Sequence, residues 1–262
     1  MSVTSAMMSG VTGLLGSAEA INVIGNNISN VNTVGFKYGR TVFSDLLSQN
    51  IGPSSQIGMG TQLQAVENIF TQGAPLTSEN PTDIAISGKG FFIVQDNSST
   101  PTTYYTRAGA FNVDENKKYI VNPDGMRLCD SKSVPIDVST FAKFDTITAI
   151  GLDGKITFLD TDGATQVATP VIGIATFPNP IGLEKAGGTL FRIDLSTGGS
   201  GAVTAGAPTA NNKIMGGTLE QSNVDIAAQM VNLITTQRSY SANSKSITTG
   251  DEMTQTVIDL KR

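Results

Sequence analysis

Apolar and small residues recur at alternating steps of four and three along the first 31 positions, at Val3, Met7, Gly10, Leu14, Ser17, Ile21, Ile24, Ile28 and Val31. That rhythm is a helical seam of the coiled-coil type, a single stripe down one side of a helix. Gly10, Gly13, Gly16 and Gly25 interrupt it, and each glycine in a helix interior costs about 1 kcal/mol against alanine. Such a helix is expected to be marginal alone and to form where its stripe is buried on a partner, because packing supplies most helix stability.

The other end of the chain carries a matching stripe. Ile226, Met230, Leu233, Gln237, Tyr240, Ser244, Ile247, Asp251, Thr254 and Ile258 keep the same rhythm, and Val224, Ala227, Val231 and Ile234 widen it near its start. Ser222 followed by Asp225 is a variant of the capping box. The segment after it lacks proline and meets glycine only at Gly250, so the pattern predicts one helix over 223–261. The stripe is apolar early and mixed late, which suits a partly wet partner or a contact shared among several subunits.

Between these ends lie short β-rich runs bounded by Gly, Asp and Asn. Asp83–Ile86, Phe91–Val94, Tyr104–Arg107, Lys118–Val121, Ile147–Ile150, Lys155–Leu159 and Val171–Phe177 read as strands. Together they predict an antiparallel β domain over 76–220. Gln49–Thr61 and Ser196–Asn212 read as loops or connectors. The fold class is therefore α+β, with a long helix at each end. Two solutions bury the stripes: the ends pair and leave outer faces for repetitive self-assembly, or the helices pack on the chain's own sheet.

Composition removes most chemistry. There is no histidine and one cysteine, Cys129, so no Ser-His-Asp triad, Cys-His pair, zinc finger or internal disulfide can be built. The balance is acidic, with 17 Lys+Arg against 22 Asp+Glu and no basic run, which argues against a nucleic-acid groove. No stretch approaches 18 consecutive apolar residues, and Met1–Ser5 has no positive region before an apolar run. Neither a membrane span nor a Sec-type precursor is expected.

The apparent motifs are mostly turns. Gly88-Lys89-Gly90 lacks the earlier glycine and following hydroxyl of a phosphate loop, and is expected to be a hairpin turn. Asp160-Thr161-Asp162-Gly163 resembles part of a calcium loop, but Phe158 and Thr169 occupy the first and twelfth ligand places. Asp114 and Glu115 are adjacent in a turn and point different ways, so they do not make a glycosidase pair. Cys129 is expected to be a small buried or half-buried side chain. No cofactor, metal or catalytic residue is expected.

The strongest local signal runs from Val23 to Lys37 and includes Asn26, Asn27, Asn30, Asn32, Gly35 and Phe36. Asparagine tolerates left-handed geometry and can satisfy orphan carbonyls, so one reading is an elaborate C-cap. Another is a defined elbow between a helix and the β domain.

This segment, with Thr41–Leu47, resembles the signature of bacterial flagellar rod and hook proteins. The resemblance continues through Asp83–Phe92, Tyr105–Phe111, Asn122–Gly125, Ser222–Asp225, Gln237–Tyr240, Asn243–Lys245 and Asp259–Arg262. These blocks cover most of the chain in order.

The resemblance implies a structural axial component of the flagellum, exported through a type III apparatus without a cleaved signal. It implies that 1–31 and 221–262 are inner-tube helices pairing in a coiled-coil-like inner domain. By the same likeness, 32–75 is a connector and 76–220 a mainly antiparallel outer β domain. The implied partners are copies of itself in a helical homopolymer, the rod, hook-cap and hook–filament junction proteins, and the export apparatus, with no nucleic acid and no small-molecule substrate. Assembly contacts are expected at Val3, Met7, Leu14, Ile21, Ile24, Ile28 and Val31, and at Val224, Ala227, Met230, Val231, Leu233, Ile234, Tyr240, Ile247 and Ile258.

Within the family the short interval Gln49–Gly60 favours a hook subunit, a tubular universal joint between rod and filament. A length of 262 residues also suits a distal rod protein, a straight drive shaft. A glycan-binding module is a third reading, but the chain has no Trp and 5 Tyr, with Tyr104 and Tyr105 the sole adjacent pair.

Overall fold

A computed structural model describes residues 3–46, 49–52, 55–98, 101–114, 118–141, 144–193 and 203–260. The Val3 side chain, Glu115 and the ending Lys261–Arg262 lie outside the described residues. The fold is α+β, and the chain divides into two compact units. The first collects 1–31, 38–69 and 224–262; the second collects 32–37 and 70–223. The expected connector 32–75 is thus shared between them, with 38–69 belonging to the helical unit.

In the first unit, helix α1 (Val3–Ser29) packs along helix α2 (Ile226–Leu260). Gly10 faces Ile247, Gly13 faces Asn243 and Asn27 reaches Gln229, so the helices run antiparallel. Glycine is needed where they approach: a Cβ on Gly13 would stand 2.7 Å from Nδ2 of Asn243, and one on Gly10 would stand 3.1 Å from Ile247. The glycines that weaken α1 in isolation are therefore among its contact points. Over Met7–Ser29, α1 is also long and apolar enough, by length and composition, to cross a membrane.

Helix α2 opens three residues later than its stripe predicts. Asp225 is its N-cap, its Oδ1 accepting from the backbone N–H groups of Ala227 at 2.9 Å and Ala228 at 3.3 Å. The Ser222 box is not the device that starts it.

Residues expected to form a loop are partly strand. Gly39–Asp45 pairs antiparallel with Thr61–Asn68, with a bulge between Val42 and Phe43, and Gln49–Gly52 pairs with Ser55–Ile57. The longer hairpin lies on α1, where Phe43 fits against Gly16 and Gly60 against Thr12.

The second unit is a β domain in which every described strand pair is antiparallel. Its centre is Phe91–Gln95, bonded to Thr103–Thr106, Arg127–Leu128 and Ile174–Thr176. This strand is buried on both faces. Phe92 and Val94 join a core with Ile84, Phe111, Ile156 and Ile172, whereas Phe91 and Ile93 join one with Tyr105, Leu183 and Phe191. Period-two alternation with apolar residues on both faces accounts for the unbroken run in the sequence.

Phe144–Ile150, Lys155–Asp160 and Thr165–Val171 form a three-stranded meander. Its turns are Gly151–Gly154 and Asp160–Gly163, so the calcium-like segment is a hairpin turn. The run Val171–Phe177 is not one strand. It breaks at Gly173, where a Cβ would stand 2.2 Å from the Asp130 carbonyl oxygen.

Gly88-Lys89-Gly90 is not a hairpin turn either. Ile84–Gly88 pairs with Asn212–Gly216 in a separate sheet from Phe91–Gln95. The three residues carry the chain from one sheet to another, with Gly88 at φ +109° and Gly90 at φ +141°. Two apolar runs joined by a Gly-rich turn look identical in sequence whether or not they pair.

Candidate assembly surface

The expected assembly residues lie in the first unit, unequally covered. Ile24 and Val224 are buried, and Met7, Leu14, Ile21, Ile28, Val31, Leu233 and Ile247 are half-buried. Ala227, Met230, Val231, Ile234, Tyr240 and Ile258 are exposed. The buried line on α1 runs through Gly10, Gly16, Ala20, Ile24 and Asn27, so the helix is rotated from the stripe its larger side chains suggest. Small residues win the contact because they permit close approach. Among the described α2 residues only Gln229 and Gly250 are buried.

Part of what remains open is apolar. Ile226 is 49% exposed, Met230 42%, Val231 60% and Ile234 50%, while Val257, Ile258 and Leu260 continue the exposure at the C-terminal end of α2. On α1, Met8, Val11 and Leu15 form a second exposed ridge, spaced three and four apart and off the predicted seam. Exposed apolar side chains grouped this way are ones that a covering surface would gain by burying.

Beside it is a groove of about 500 Å³ between α1, α2 and Gly39–Asp45. Ala20, Val23, Ile24 and Phe43 supply apolar lining, and Ser17, Gln229, Asn232, Thr235, Thr236 and Ser239 supply hydroxyls and amides. Its cation, Arg40, is paired with Glu67 at 2.8 Å.

The asparagines of the helix exit have different jobs. The Asn30 side chain donates to the Asn26 carbonyl at 2.8 Å, as a C-cap does. Asn27 does not cap. It is 1% exposed, its amide donates to the Gly39 carbonyl at 2.8 Å and to Gln229 Oε1 at 3.2 Å, and its Oδ1 accepts from the Gly39 N–H at 2.9 Å. One side chain thus ties α1 to a strand and to α2. Asn32 is exposed. Asn27→Ala is expected to destabilise the first unit by about 2–3 kcal/mol, because it leaves buried backbone groups unpaired. Asn26→Ala, at an exposed position, should stay within about 0.5 kcal/mol. Amide exchange at Gly39 distinguishes the two.

Gly35 and Phe36 belong to the second unit and are buried. Gly35, at φ +69°, donates its N–H to the Glu220 carbonyl at 2.8 Å, and a Cβ there would stand 2.3 Å from the Ala108 nitrogen. Beside it is a buried ion cluster. Glu220 Oε1 accepts from Lys37 Nζ at 2.6 Å and from the Gly73 N–H at 2.9 Å, and its Oε2 accepts from Arg107 Nη1 at 3.1 Å. Lys37 also donates to the Thr71 carbonyl at 2.7 Å. Burial pushes the Lys37 ammonium below the usual lysine range, against the pull of Glu220.

Sequence reasoning placed Lys37 and Arg107 in separate motif blocks and passed over Glu220. The available signal was the scarcity of charge itself, since only 15% of the residues are charged.

Cys129 is fully buried, and burial raises its thiol pKa to about 12. At pH 8 only about one thiol in ten thousand would be ionised. Native protein is expected to resist iodoacetamide at that pH and to react once unfolded, which mass spectrometry reads directly.

Among the described residues no group of His, Cys, Asp and Glu could hold a metal ion. Residues 7–37 match the family described as flagella basal body rod protein, 85–158 the flagellar hook protein FlgE/F/G D1 domain, and 215–260 the flagellar basal body rod FlgEFG protein C-terminal family. The chain is 36% identical to the flagellar basal-body rod protein FlgG of Bacillus subtilis over 98% of both chains. It is 35% identical to the rod protein of the same name from Agrobacterium fabrum over 94% of this chain and 95% of that one. Against the flagellar hook protein FlgE of Borreliella burgdorferi the identity is 41%, over 47% of this chain and 30% of the relative.

Proposed function

The chain belongs to the flagellar basal-body rod and hook protein family, whose members are structural axial subunits of the flagellum, and on that premise we propose that it is a subunit of the distal rod. The observation that carries the rod over the hook is coverage. Relatives named as rod proteins align with nearly the whole chain at nearly its own length, whereas the hook relative aligns with about half of it. The hook favoured by the short Gln49–Gly60 interval becomes the second reading, because that interval weighs less than an end-to-end likeness.

In this reading α1 and α2 face the channel of a helical homopolymer, and neighbouring copies cover Met230, Ile234, Ile258 and the Met8–Val11–Leu15 ridge. The coiled-coil-like closure of the seam then belongs to the assembled tube. The hydroxyl- and amide-lined groove supplies the wet part of the contact. The other proposed partners are adjoining axial proteins and a type III export apparatus that takes the chain without a cleaved signal. The work is mechanical and involves no catalysis, cofactor or small-molecule substrate.

Electron cryomicroscopy of axial structures from cells expressing a tagged copy tests this. Label in a straight shaft within the envelope is the expected result, and label in a curved segment outside the cell would return the chain to the hook.

A further inference from the structure

We propose that Lys37, Arg107 and Glu220 form a charge lock at the base of the second unit. Glu220 is its closing member, so the segments leading into and out of this unit join only once residue 220 is in place. The inference goes beyond the rod reading and does not depend on it.

The chain passes from one unit to the other at 31/32, 37/38, 69/70 and 223/224. Within the second unit, residues near the last three of these passages meet at one carboxylate. Lys37 lies beside 37/38, Thr71 and Gly73 follow 69/70, and Glu220 precedes 223/224. Asn223 adds a bond from its side-chain amide to Thr71 Oγ1 at 2.8 Å, and Gln221 donates its N–H to the Ala74 carbonyl at 2.9 Å. The backbones are in close contact here, since a Cβ on Gly73 would stand 1.9 Å from the Gln221 carbonyl oxygen.

The charges do not balance without Glu220. Side-chain exposures are 0% for Lys37, 3% for Arg107 and 2% for Glu220, so two cations share one anion in a dry site. Arg107 donates to the Gly88 carbonyl at 2.8 Å and lies 5.5 Å from the Phe91 ring centroid, while its Nε has no hydrogen-bond partner. Remove the carboxylate and two like charges remain buried together, which low-dielectric surroundings do not tolerate.

In chain order the cations come first. Lys37 precedes Glu220 by 183 residues and Arg107 by 113. Until Glu220 arrives, both are more stable in water than at the base, and the base stays open while the strands around Phe91–Gln95 can already pair.

The test counts charge in the full-length protein. Formal cluster charge is +1 in the wild type, from two cations and one anion; it becomes +2 in E220Q and returns to +1 in K37M/E220Q. Amide exchange at Gly35, Gly73 and Gln221 is expected to accelerate by about 100-fold or more in E220Q and to return to within about tenfold of wild type in the double variant. A set of lost hydrogen bonds without a charge effect predicts the opposite, with the double variant worse than E220Q. Wild-type protection in E220Q, or exchange in K37M/E220Q as fast as in E220Q, would overturn the lock.

Should E220Q fail to fold, pulsed exchange during refolding of the wild type decides. Amides of Phe91–Gln95 are expected to gain protection before those of Gly35 and Gly73. Simultaneous protection would also overturn it.

Discussion

Ile234→Asp is expected to abolish polymerisation while leaving the monomer folded. Ile234 is 50% exposed in the single chain, amid Met230 and Val231, which are 42% and 60% exposed. A carboxylate there costs the monomer little, because it remains in water. In a tube that covers this face, the substitution removes about 1.5–3 kcal/mol of apolar burial and places an unpaired charge at a dry contact. A loss of about 3 kcal/mol or more per contact corresponds to a rise of at least about 100-fold in the concentration needed for assembly. Sedimentation of the purified chain with electron microscopy of the pellet reads this. Intact tubes at the wild-type concentration would show that this face of α2 is not an assembly contact.

Gly109→Ala should unfold the second unit. A Cβ at this position would stand 1.5 Å from the Ile84 carbonyl oxygen and 2.7 Å from its carbon, both backbone atoms that no rotamer change can move. The Gly109 carbonyl also accepts from the Ile84 N–H at 2.9 Å, so the two backbones cannot separate without breaking that bond. Ile84 is fully buried in the larger core. The expected loss exceeds about 4 kcal/mol, the range in which single substitutions of this kind abolish marginal folds. Thermal unfolding followed by Tyr and Phe signals of the second unit checks it. A control is Gly163→Ala, which meets nothing within 4 Å and faces only its φ of +80°, so its cost should be about 1 kcal/mol.

The two sites differ in how far the chain announces them. The proposed assembly face is written in periodicity: an apolar stripe at steps of four and three is a property of neighbours along one helix, so Met230 and Ile234 stand out before any folding is known. The rotation of α1 is not written there. Leu14, Ile21 and Ile28 dominate the pattern by size, yet Gly10, Gly16 and Ala20 are the more buried, because close helix approach favours the absence of a side chain.

The ion cluster was still less visible. Lys37, Arg107 and Glu220 each look like a surface charge from their neighbours, and only pairing of Thr218–Glu220 with Pro75–Thr77 brings the last of them inward. Gly88-Lys89-Gly90 failed for the same reason, since local turn chemistry does not say which strands will hydrogen-bond.

By itself the sequence determined two long terminal helices, a β-rich middle, the absence of histidine chemistry and the axial-protein likeness. Each of these depends on residue type or on spacing within a few turns, interactions that act between near neighbours. Tertiary structure alone decided that residues 38–69 join the helices as a hairpin, that glycines make the α1–α2 contact, and that opposite charges 183 residues apart form one buried ion pair. Those outcomes turn on which backbones can approach closely and which charges lose water together, and both are set by contacts between segments distant along the chain.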